Sequence, residues 1–86
     1  MGNIKGEEMV DAIVMDIRET EYQERKARKE GRSGEGRAEV NHQRIVGLRL
    51  ALGRVLQILH GEYIESGTAG EISATIAARN YLDGRA

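Results

Sequence analysis

The stretch Ile45–Leu59, IVGLRLALGRVLQIL, constrains the fold of this chain more than any other. Ile45, Leu48, Leu52, Val55 and Leu59 recur at alternating spacings of three and four, which stacks them into one seam of an α-helix. Ala51, Leu56 and Ile58 widen that seam to roughly 160° of the helix surface at about 100° per residue. A face this broad needs more than one partner helix, and the remaining residues are read as what packs against it.

The 86 residues suit a single domain, and without cysteine neither disulfides nor thiolate metal sites are available to hold it. Proline, phenylalanine and tryptophan are absent too. The core must therefore come from Ile, Leu, Val, Met and Ala, which favours helix on helix, and no segment alternates with a period of two. The expected fold class is all-α, a long antiparallel helical hairpin with a short C-terminal helix, assembling into a dimeric helical bundle.

Within the single helical domain 1–86 the expected boundaries are a frayed lead-in at 1–6, a first helix at 7–30, a Gly-rich turn at 31–37, a second helix at 38–65 and a third at 69–83. Met9, Val10, Ile13, Val14 and Ile17 give the first helix an apolar stripe that stops midway. Beyond it, Glu21 with Arg25, Glu24 with Arg28 and Lys26 with Glu30 stand at i,i+4 spacing, worth about 0.2 to 0.5 kcal/mol each to an exposed helix. GRSGEG at 31–36 breaks the helix, and a short connection makes the flanking helices antiparallel. A turn centred near Gly34 sets Val10 level with Ile58, Ile13 with Val55, Ile17 with Ala51 and Tyr22 with Val46. Of the two glycines able to end the second helix, Gly67 is preferred over Gly61, because Tyr63 and Ile64 would then extend the buried face. Thr68 with Glu71 has the spacing of a capping box for the third helix.

The formal net charge of −1 argues against a surface wholly devoted to polyanions, yet the charge is sorted along the chain. Between residues 7 and 24 the acids Glu7, Glu8, Asp11, Asp16, Glu19, Glu21 and Glu24 meet only Arg18, whereas Arg25, Lys26, Arg28, Lys29, Arg32 and Arg37 face only Glu30 and Glu35 from 25 to 37. In a hairpin these cations, with Arg44, gather at the tip and form a candidate site for an anionic partner, through phosphate contacts or an acidic protein surface. Ile45, Leu48, Leu52, Val55 and Leu59 are the candidate interface with a second copy or a partner helix.

Neither histidine stands in a recognisable nucleophile or metal motif, and His42 and His60, about 27 Å apart along one helix, cannot share an ion within the chain. The expectation is no enzyme, no cofactor and no metal. The chain reads as a small interaction protein acting by stoichiometric binding, an adaptor, regulator or inhibitor of the kind phages also make against host machinery. Its expected partners are a second copy of itself and a larger protein or nucleoprotein. The alternative is a nucleic-acid-binding or nucleotide-binding protein using the basic tip. Arg49 and Arg54 interrupt the longest apolar stretch and no leader pattern is visible, so the expected location is the cytoplasm, with no membrane partner.

Overall fold

The computed structural model describes residues 2–85, with side chains described for residues 5–84. Three α-helices follow one another: α1 (Gly2–Lys29), α2 (Glu35–Leu59) and α3 (Gly67–Arg85), with a 3-10 turn at Gly31–Gly34 between the first two. The all-α expectation holds.

Helix α1 continues past the end of its apolar stripe because its side chains hold one another. Arg28 donates to Glu24 at 2.7 Å, Gln23 to Glu19 at 3.1 Å and Arg18 to Glu21 at 3.1 Å. Gly31, at φ 67°, then takes a backbone region that favours glycine, and the chain reverses. The reversal is tighter than the expected 31–37: α2 starts at Glu35, so Glu35, Gly36 and Arg37 belong to its first turn. Gly34 makes this compactness feasible, because a Cβ there would run into the carbonyl of Ala27.

Three further expectations are corrected. The lead-in, of which Met1 lies outside the described residues, is helical from Gly2, and Gly6 is buried beneath the Leu59 side chain. At its other end α2 stops at Leu59 rather than near 65. Gly61, at φ 68°, lets its own N–H donate to the Ile58 carbonyl at 3.1 Å and the Glu62 N–H to the Gln57 carbonyl at 2.9 Å. These bonds satisfy carbonyls that a helix end otherwise leaves unpaired. Tyr63 and Ile64 thus fall in the connection, Tyr63 87% exposed, and extend no buried face. Helix α3 begins at Gly67 instead of 69, which places Thr68 inside the helix rather than at its cap.

The core is formed by Val10, Val14 and Ile17 of α1, Leu52 and Leu56 of α2, and Ala78 and Leu82 of α3. Arg49 reaches Glu21 at 3.0 Å and Gly6 meets Leu59, so the hairpin register is the expected one to within about a turn. Helix α3 lies along one side of the hairpin only. Gly53 admits the backbone of Ala74, Gln57 donates to the Ser73 hydroxyl at 3.0 Å, and Arg18 reaches the Leu82 carbonyl at 3.4 Å. The opposite side of the hairpin is uncovered. Among the described residues no helix is long and apolar enough to cross a membrane.

Candidate interaction surfaces

The hairpin tip is built from the last turns of α1, the 3-10 turn and the first turns of α2, with only Ala27, Gly34 and Ala38 buried beneath it. Small side chains let the helices close together there, and the long cations stand outward. Two of the seven expected cations are tied to acids, Arg28 to Glu24 and Arg37 to Glu30. Among the described residues Arg25, Lys26, Lys29, Arg32 and Arg44 are exposed and make no ion pair. Along α1 the positions of Tyr22, Arg25, Lys26 and Lys29 follow one another at i, i+3, i+4 and i+7, so an aromatic ring, 52% exposed, shares a stripe with three of these cations. That spacing is legible in the sequence; the exposure of the ring needs the fold.

Glu24 is the tip's electrostatic hub. The Arg28 guanidinium bonds to its carboxylate and the imidazole Nδ1 of His42 lies 3.3 Å away. Hydrogen bonding and attraction from Arg28, with a smaller effect of His42, hold the Glu24 carboxyl below the usual glutamate range. Arg28 was readable from i,i+4 spacing; His42 arrives from α2 and needed the register.

The seam residues separate into two groups. Ile45 and Leu52, 3% and 0% exposed, are enclosed within the chain and offer a partner nothing. Leu48 and Val55 are half-buried at the edge of the uncovered side, and Leu59 is partly exposed. Beside them Val40 and Ile58 are 68% and 65% exposed, and Met9 of α1 is 53% exposed. The open apolar surface is therefore the shoulder of the expected seam, displaced around α2 from its centre. Gly47 and Ala51 on this shoulder are exposed, and a Cβ at Gly47 would meet nothing within 4 Å.

At the opposite end of the bundle from the tip, Glu7, Asp11 and His60 rim an open hollow floored by Val10, Leu56 and Leu59. His60 lies 3.6 Å from Glu62, and His42 is far along α2 beside Glu24, so the histidines serve separate local pairs. Among the described residues no three His, Asp or Glu side chains gather as a metal ion would require. Comparison with known protein families, characterised proteins and solved structures gives no significant match.

Proposed function

We propose that the protein acts by stoichiometric binding to another macromolecule, as an adaptor, regulator or inhibitor, and that the hairpin tip docks an anionic surface of that partner. The supporting observation is the group of five exposed cations, Arg25, Lys26, Lys29, Arg32 and Arg44, that have no acid of their own in the fold. Cations already paired gain little from a new anion, whereas unpaired ones gain a charge-assisted hydrogen bond each. The acid-rich remainder of the chain turns away like-charged surfaces, so an anionic partner is steered to the tip.

The favoured partner is a protein with an acidic patch. A second reading, nucleic acid, draws on Tyr22, which lies on the same stripe as three cations and could stack on a base. Fluorescence anisotropy with an acidic peptide and with a single-stranded oligonucleotide, each at rising salt, separates the two. The first reading expects binding of the peptide, lost in the triple variant Arg25→Glu, Lys26→Glu, Lys29→Glu. Single-strand binding whose log–log salt slope lies near −3.5, about 0.7 for each of five phosphates neutralised, would put nucleic acid first. Equal binding by wild type and triple variant, or no binding of either probe at low salt, would overturn the tip as a docking surface.

A further inference from the structure

We infer that the uncovered side of the hairpin is closed by a second copy of the chain, packed antiparallel along α2 about a two-fold axis level with Arg49. This does not depend on the docking role of the basic tip: Arg25, Lys26 and Lys29 lie on the far side of α1 from this face, and of the five unpaired tip cations the dimer is argued from Arg44 alone. Three observations carry it.

The outward stripe of α2 reads the same in both directions. Val40 and Ile58 each stand nine residues from Arg49, and Gly47 and Ala51 each stand two residues from it. All four lie within about 40° of one another around the helix. Turning a second copy end for end sets Val40 against Ile58 and Gly47 against Ala51. The exposed large residues thereby meet each other, while the small ones let the helices approach at the centre. Self-complementarity of this kind is what a two-fold interface requires.

The charges select the same orientation. Residues 24–44 carry seven Lys or Arg against four Asp or Glu, and the rest of the chain carries six against ten. Antiparallel pairing sets the basic end of one copy toward the acidic end of the other, a long-range attraction, whereas parallel pairing sets like toward like. One pair can be named. Asp16 and Arg44 are exposed on the uncovered side and make no ion pair within the chain. Arg49 bonds Glu21, His42 meets Glu24 and Gly6 meets Leu59 across the hairpin, which puts Asp16 level with residues 49–54. A two-fold level with Arg49 brings Arg44 of one copy to the upper end of that range in the other, so the unpaired cation of each copy attracts the unpaired acid of its neighbour at two equivalent places.

The available surface is sufficient. The molecule is 45 Å long and 18 Å across its narrowest dimension, so one face offers at most roughly the 800 Å² per partner of a standard interface.

Sedimentation equilibrium on the full chain should give twice 9.5 kDa. Ala51→Glu and Gly47→Glu, both at exposed positions, should give the single-chain mass with helical circular dichroism retained. Arg44→Asp and Asp16→Arg should each weaken the dimer about tenfold or more, and their combination should restore it. A spin label on Glu39→Cys, outside the stripe, should report about 30 Å between copies, twenty residues of helix rise, against less than about 20 Å for parallel helices. A wild-type chain that is monomeric at its highest soluble concentration, a dimer that survives both glutamate variants, a charge swap without rescue, or a short label distance would each overturn the inference.

Discussion

Gly53 and Gly36 are both helical glycines of α2, and their surroundings give them opposite roles. At Gly53 the backbone of Ala74 occupies the place a Cβ would take, and backbone cannot swing aside as a side-chain end can. Gly53→Ala should push α3 off the hairpin and cost about 2 to 3 kcal/mol in urea unfolding. Gly36 has nothing within 4 Å, so Gly36→Ala should stabilise the protein by up to about 1 kcal/mol through lower backbone entropy in the unfolded chain. Equal effects of the two substitutions would show that the α2–α3 approach is looser than described. Gln57 and Ser73 make the same contact specific, since their hydrogen bond pairs a glutamine only 4% exposed with the one α3 hydroxyl that reaches it.

Pairs of elements are joined at points that no single helix reveals. Glu24 of α1 holds Arg28 on its own helix and faces His42 on α2. Its carboxyl is held below the ordinary range, so its charged form stabilises the fold above the glutamate pKa of about 4.3 and that contribution disappears as pH falls through the lower folded value. Thermal unfolding of wild type and Glu24→Gln should therefore differ by about 0.5 kcal/mol near pH 7, as expected for a partly exposed pair. The difference should shrink steadily as pH falls below the ordinary glutamate value; a gap unchanged by acid would mean the variant acts by packing instead. The connection after α2 illustrates the same dependence on partners. Gly61 ends the helix because the chain must turn back for α3 to reach Gly53, a demand that Tyr63 and Ile64 do not disclose locally.

Across the whole molecule the apolar core is concentrated at one end. Val10, Val14, Ile17, Leu52, Leu56, Ala78 and Leu82 fill the half where three helices meet, while Ala27, Gly34 and Ala38 are all that lies buried under the tip. Amide hydrogen exchange should be slowest at Ile17 and Leu52, and at least about tenfold faster from Lys26 to Ala38, because local opening there exposes little apolar surface. Uniform protection would mean that the ion pairs around Glu24 and Glu30 bind the tip as firmly as burial does. The same polarity places cations where the helices are held by small residues and acids where the core is large.

Periodicity and the glycine run determined that the chain is helical, that it breaks after Glu30, and that the apolar halves of the first two helices meet in one register. These follow from spacing along a chain, since 3.6 residues per turn converts spacing directly into a face. The collection of cations at the tip follows for the same reason. Only the tertiary structure decided which part of the broad α2 face stays open. Ile45 and Leu52 are shut away by α1, Gly53 is taken up by α3, and Val40, Gly47, Ala51 and Ile58 are left outside. A width of apolar surface predicts how many neighbours a helix wants. The direction from which each neighbour arrives is fixed by close backbone approach and by where the connecting glycines turn the chain.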